Sequence, residues 1–425
     1  MNELKKLFYK EHRYLIVNFF NYGLYQASNY LVPLLTIPYI IRVVGLEKFG
    51  IISLAQSVAL YIRVGVDYGW SIIGVQYVAK VQIDDQKKSE VVSNIFFIQL
   101  ILTIVGLLIL FFLRVVFKEV DYEWIVFIAA YGIVPATMLM APWFYVGMEK
   151  VKYLNYINFT ARLCYLVLIF VFVRRETQYI LVPFFNSAAL FLGGIVSLAF
   201  MLKKFRIKLK IPEFQKIRQY LIEGWPIFTS YFATNFYRNS NILILAFFTS
   251  KEIVGIYAAA DKVVKVIQGI FAPITQTLYP YISRISVQSK KRAIIAVKKL
   301  SVVMIFLTSI VVLSLIVTAD WIMGIILEKP SDLANILLQI GSAVIFWGVL
   351  NFIVGIIYMT NFDMKKQFSN AVVLTGLLNI IICFILSNYF EAVGAMISFS
   401  LAEFILFGLL ITQILRFNKK KLQIV

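Results

Sequence analysis

Histidine occurs once in the 425 residues, at His12, and cysteine twice, at Cys164 and Cys383. The lone histidine lies in a charged N-terminal stretch, which excludes a histidine proton relay inside a membrane. The two cysteines sit in separate apolar segments and predict neither a disulfide framework nor a thiolate metal site. Glycine-rich phosphate loops and the HExxH, GxSxG and CxxC spacings are all missing. The chain is therefore expected not to be an enzyme and to need no metal or other cofactor. Charge is scarce too: 15% of residues are charged, against about 25% in soluble domains. Acids are the scarcer sign, 22 against 41 bases, for a formal charge of +19. The alternating pattern of a membrane β-barrel is also lacking.

What is present is apolar: 61% of residues are hydrophobic and 16% aromatic. Continuous apolar runs long enough to cross a bilayer predict an all-α integral membrane protein. About twelve spans are expected, near 14–41, 46–74, 91–113, 122–146, 153–173, 179–202, 219–248, 251–283, 296–318, 333–360, 367–389 and 391–415. Between them the bases alternate in abundance, 28 on one side against 8 on the other, which predicts that both termini are cytoplasmic. This positive charge reads as topology rather than as a nucleic-acid surface. The N-terminal MNELKKLFYKEHRY has no small-residue cleavage site after it, so the first helix is expected to be retained.

The richest basic loop, 203–218, divides the chain into an N-terminal six-helix lobe (1–202) and a C-terminal one (219–425). Six spans per half place both halves in the membrane in the same direction, as parallel repeats. FGIISLAQSVAL (Phe49–Leu60) and VGIYAAADKVVK (Val254–Lys265) open the second helix of each half in the same way.

Five bases lie within predicted spans: Arg63, Arg162, Arg238, Lys262 and Lys265. A charge facing lipid at mid-span costs about 2.5–3.5 kcal/mol on insertion scales, so these should face protein or water. In the 251–283 span, Asp261, Lys265, Gln268, Ala272 and Gln276 form one stripe, with Val263, Val266, Ile267, Ile270 and Ile274 mostly opposite. Arg63 and Asp67, four residues apart, make either a structural ion pair or a ligand site. Asn155, Asn158, Arg162 and Tyr165 share a second face, and Tyr231, Thr234, Arg238 and Asn241 a third. Asn18, Asn21, Tyr25, Ser28, Asn29 and Thr36 on the first helix suit sugar hydroxyls, or equally helix–helix contacts. Five bases against Asp67, Asp261 and Glu403 leave the interior net positive, which favours an anionic cargo. Arginine grips phosphate through paired hydrogen bonds, and lysine adds a point charge.

For ion coupling the candidates are Glu403, Asp261 and Asp67. Asp261 adjoins Lys262 and precedes Lys265, and either titrates or remains a fixed partner. Glu403 has no basic residue in its span, and the flanking Ser398 and Ser400 offer only neutral hydrogen bonds, so it is the better proton-binding candidate. Pro33, Pro38, Pro135, Pro142, Pro273 and Pro280 can kink their helices or simply be tolerated. Trp124, Trp143, Trp225 and Trp321 are expected to anchor at the membrane interfaces.

Four stretches carry a family resemblance: PYIIRVVGLEKFGIISLAQSV (Pro38–Val58), PWFYVGMEKVKYLNYIN (Pro142–Asn158), EGWPIFTS (Glu223–Ser230) and Val254–Arg284. Over essentially its whole length the chain resembles the O-antigen and capsule repeat-unit flippases. These are the polysaccharide-biosynthesis branch of the multidrug/oligosaccharidyl-lipid/polysaccharide exporter superfamily. The resemblance implies two six-helix lobes around a central cationic cavity, here lined by Arg63, Arg162, Arg238, Lys262 and Lys265. It further implies translocation of an undecaprenyl-diphosphate-linked oligosaccharide across a bacterial plasma (inner) membrane by alternating access. Membrane lipids, a polysaccharide polymerase and a chain-length regulator would be its partners. The alternatives are a small-molecule antiporter of the same superfamily, which a net positive cavity disfavours for cationic drugs, and a polysaccharide assembly component without transport.

Overall fold

The computed structural model describes the backbone of residues 2–422. It describes the side chains of residues 31–417 other than Glu119, Ser230, Thr234, Phe236, Tyr237 and residues 275–277. The expected contributions of Asn18, Asn21, Tyr25, Ser28, Asn29, Thr234 and Gln276 lie outside these described side chains. Among the described residues the regular structure is entirely helical, and eight helical stretches are long and apolar enough to cross a membrane.

Helices begin where short polar side chains satisfy the first free backbone amides. Asp84 caps the Asp85–Val116 helix, accepting from the amides of Gln86 and Lys87 at 3.0 Å each. These amides and the Lys87 charge hold the Asp84 carboxyl below its usual range. Ser289 and Ser331 do the same for the Lys290–Leu327 and Asp332–Asn351 helices.

Expected spans fall on observed helices, but several are broken. Asn2–Asp67 holds the first two spans on either side of Gly45 (φ 80°), and Lys365–Leu422 holds the last two on either side of Glu391 (φ 47°). The 122–146 run is three helices, Trp124–Tyr131, Ile133–Met140 and Pro142–Gly147, which part at Gly132 and at Ala141, the latter in left-handed φ 44° before the proline. The 251–283 run breaks at Phe271, just before Pro273, into Lys251–Ile270 and Ala272–Gln288. Pro33, Pro38 and Pro280 stay inside helices. The 333–360 run turns from α-helix to π-helix at Phe352–Tyr358.

Contacts gather the chain into two compact units, Tyr39–Gly255 and Met1–Pro38 with Ile256–Val425. The Tyr39–Gly255 unit is organised around an aromatic core in which Trp70, Trp143, Phe144 and Tyr145 are fully enclosed. Trp143 is therefore not an interface anchor: its indole donates to Gln99 Oε1 at 3.3 Å in the core. Trp225 and Trp321 are exposed.

In the same unit the two repeat glycines meet. A Cβ on Gly50 would lie 3.0 Å from the Gly255 nitrogen and would overlap the Lys251 carbonyl. A Cβ on Gly255 would lie 3.2 Å from the Gly50 nitrogen and would overlap the Leu46 carbonyl. The contact is reciprocal, each glycine against the carbonyl four residues before the other. Only glycine allows backbones this close. At this crossing Glu123 ties together four helix starts: Lys48 Nζ and Lys251 Nζ are each 3.9 Å from Oε1, and the Tyr179 hydroxyl donates to Oε2 at 2.8 Å.

Candidate functional site

One polar constellation lies in the Tyr39–Gly255 unit, where a membrane helix ends early. The sequence predicts helix through residue 74, but the helix stops at Asp67. Tyr68 (φ 48°) and Gly69 (φ 79°) turn the chain before a short helix, Ile73–Lys80. The DYGW tetrapeptide held that turn signal, masked by the apolar residues around it. A discontinuous helix frees backbone groups that need polar partners, a recurring feature of binding sites at membrane depth.

Asp67 supplies the partner. Its carboxylate accepts from the Ser71 hydroxyl at 2.9 Å, with the Arg63 charge one turn before it and the Tyr231 hydroxyl within electrostatic reach. The Phe214–Leu245 helix is bound to the break by Tyr68. Tyr68 stacks on Phe228 at a centroid distance of 4.5 Å and donates to the Leu221 carbonyl at 3.0 Å. Glu223, a turn away, accepts from the Tyr77 hydroxyl and from Gln219 at 2.8 Å.

Arg63, Asp67 and Tyr231 thus come together. Arg238, seven residues beyond Tyr231 on the same helix, is exposed. Arg162 is held on a different helix pair, donating to Asn186 Oδ1 at 3.4 Å beside buried Asn158 and Tyr165.

A second constellation lies in the Ile256–Val425 portion of the other unit. Lys265 Nζ is 2.8 Å from Asp261 Oδ2, and the Asp261 side chain is only 5% exposed. Lys262 lies within coulombic reach of both. The Lys265 ammonium is 6.0 Å from the Phe399 ring centroid.

The same Lys251–Ile270 helix packs, through Val264 and Gln268, against Gly341 and Gly348, two turns apart on the Asp332–Asn351 helix. Val264 and Met396 close on Gly341, while the Gln268 amide and the Glu403 carboxyl close on Gly348. Glu403 is 1% exposed. Asn351 Nδ2 donates to its carboxylate at 2.7 Å and to its backbone carbonyl at 2.8 Å. Asn351 immediately precedes the π-helix, a distortion that often marks functional sites. Ser398 and Ser400 instead bond the carbonyls of Ala395 and Ile340.

Sequence reasoning missed Asn351 altogether and placed Gln268 on the stripe without its neighbour. An asparagine three residues after a glycine in an apolar span was the available signal. Among the described residues no group of three or more His, Cys, Asp or Glu could hold a metal ion.

These two polar clusters occur in a chain with known relatives. It is 28% identical over 386 residues, 91% of its length and 93% of the relative's, to the Escherichia coli (strain K12) protein named "Putative O-antigen transporter". Its fold matches lipid II flippase MurJ in an inward closed conformation, with TM-score 0.73 at 14% identity, covering 94% of this chain and 86% of that one. It also matches an inward-facing multidrug resistance MATE family transporter of the MOP superfamily, with TM-score 0.72 at 11% identity, covering 94% and 95%. At these identities the likeness to the solved structures is one of fold. The family model described as polysaccharide biosynthesis protein matches residues 15–286, well over half of the chain, and the protein therefore belongs to that family of membrane proteins.

Proposed function

We propose that this protein flips undecaprenyl-diphosphate-linked oligosaccharide repeat units from the cytoplasmic to the outer face of a bacterial plasma membrane by alternating access. The observation that carries the reading is a net positive set of intramembrane side chains in a chain of this family. Arg63, Arg162, Arg238, Lys262 and Lys265 exceed Asp67, Asp261 and Glu403, and the acids are themselves engaged.

A diphosphate is the anion such a set would attract, and amides such as Asn29 and Asn158 would meet sugar hydroxyls while the polyprenyl tail stays in lipid. The moving bodies are the lobes 1–202 and 219–425, joined by the basic linker 203–218. The bias of bases among the loops supports a cytoplasmic position for both termini. An inside-negative potential favours outward movement of an anion by about 2.3 kcal/mol per charge per 100 mV. No catalytic step is needed, and a polymerase and a chain-length regulator would act on the delivered unit.

The test is flipping of a fluorescent polyprenyl-diphosphate oligosaccharide in proteoliposomes. A charge-assisted hydrogen bond contributes about 1.5–3 kcal/mol, so Arg63→Ala, Arg162→Ala or Arg238→Ala is expected to slow flipping by about tenfold to a hundredfold. Lysine at the same position should restore part of the rate. Equal losses of folded protein and of rate in all three variants would make these arginines structural. Transport of cationic dyes without transport of the lipid would favour the antiporter reading.

A further inference from the structure

The connection between the Leu181–Lys204 and Phe214–Leu245 helices is an extended strap, anchored at both ends and pinned in the middle. Ile207 and Ile217 are buried at 5% and 8% exposure. Between them the amides of Lys208 and Lys210 donate to the hydroxyls of Ser89 and Ser93, at 3.1 and 3.0 Å. Each serine hydroxyl in turn donates to the carbonyl four residues before it, at 2.7 Å.

The match is geometric. Alternate residues of an extended chain repeat every ~6.6 Å and successive helical turns every ~5.4 Å, so two serines a turn apart can receive two alternate amides. Because the pins use main-chain amides, the side chains of Lys208, Leu209, Lys210 and Ile211 are left exposed.

Those side chains do not suit water alone. Ile211 is 89% exposed, Phe214 78% and Leu209 44%, interleaved with Lys208 and Lys210 and preceded by Lys203 and Arg206. Among the described residues Lys203, Lys208 and Lys210 have no acidic partner, whereas Lys216 is paired with Glu90 at 2.5 Å. Exposed apolar side chains among unpaired bases, at the edge of a membrane-spanning bundle, fit one surface: a leaflet with anionic headgroups, where the bases meet phosphate and the apolar groups enter the interface.

We propose that residues 207–214 form a preformed docking strap for anionic phospholipid headgroups on the basic side of the membrane. Pinning onto Ser89 and Ser93 means that little conformational freedom remains to be lost on docking. The strap would hold a patch of anionic lipid beside the protein whatever the cargo, so the inference stands apart from the flipping activity.

The test uses the full chain with Cys164→Ser, Cys383 being buried, and an environment-sensitive fluorophore on Ile211→Cys or Phe214→Cys. The protein is reconstituted into phosphatidylcholine vesicles with and without phosphatidylglycerol. In the anionic vesicles the emission should shift to the blue and be quenched by lipids spin-labelled near the headgroup, and salt should reverse both effects. Each basic residue near an anionic surface is worth about fivefold in such an equilibrium, so Lys208→Gln with Lys210→Gln should lower the docked-to-undocked ratio about twenty-five-fold. The glutamines keep both backbone pins, and an unchanged thermal transition verifies the fold. Identical emission in the two vesicle types overturns the proposal, as does a blue emission already present in detergent and unaltered by lipid, which would place a protein surface over the strap.

Discussion

Replacing either repeat glycine by alanine tests the closest backbone approach in the Tyr39–Gly255 unit. A Cβ at Gly50 would stand 2.9 Å from the Lys251 carbonyl carbon and 3.0 Å from the Gly255 nitrogen. The limiting contact is the overlap with the Lys251 carbonyl oxygen, so the helices must part by more than about 1 Å before the methyl group reaches ordinary packing distance. Overpacking of this kind costs about 1–3 kcal/mol, and the better helix propensity of alanine returns up to about 1 kcal/mol.

Gly255→Ala should behave alike, since its Cβ would stand 3.1 Å from the Leu46 carbonyl carbon and 3.2 Å from the Gly50 nitrogen. The double variant should cost less than the sum, because the second methyl enters a gap that the first has opened, with a coupling of about 0.5–3 kcal/mol. Gly65→Ala is the control: its Cβ meets nothing within 4 Å, so it should be neutral or slightly stabilising. The assay is the apparent melting temperature in detergent by fluorescence-detected size-exclusion chromatography. If Gly50→Ala and Gly255→Ala match Gly65→Ala, or if their effects simply add, the reciprocal crossing is not there.

Two further outcomes concern the buried acids. Lys265→Met removes the partner 2.8 Å from Asp261, and stranding a buried carboxylate should cost about 3–5 kcal/mol, towards the lower end because Lys262 is near. Adding Asp261→Asn should recover most of that loss in the same melting assay, and failure to recover would mean that the pair is not coupled. Glu403→Gln keeps an oxygen to accept from Asn351 and should leave the melting temperature unchanged. In vesicles at zero membrane potential an imposed pH gradient should drive flipping by the native protein and not by this variant. Native transport indifferent to the pH gradient would remove Glu403 from energy coupling.

Local pattern alone determined the class of this molecule. Hydropathy summed over a span, the 28 to 8 bias of bases and the two matching glycine-led stretches are all properties of neighbouring residues, so they could be read before any fold was known. The helical stripe that carries Asp261 and Lys265 was legible for the same reason, because their ion pair is made within one helix.

Tertiary structure decided what lies across helices. Asn351 and Glu403 are 52 residues apart and become partners only because the helices that carry them pack side by side. Gly50 and Gly255 were each visible in the sequence, but their mutual contact was not. The break after Asp67 is tied to a helix more than 150 residues away, through the Tyr68 hydroxyl and the Leu221 carbonyl. Nothing in the sequence singled out Glu123, on which four helix starts converge. Periodicity reports which face of a helix is apolar, whereas only packing chooses which face of which neighbour it meets, and buried polar side chains find their partners there.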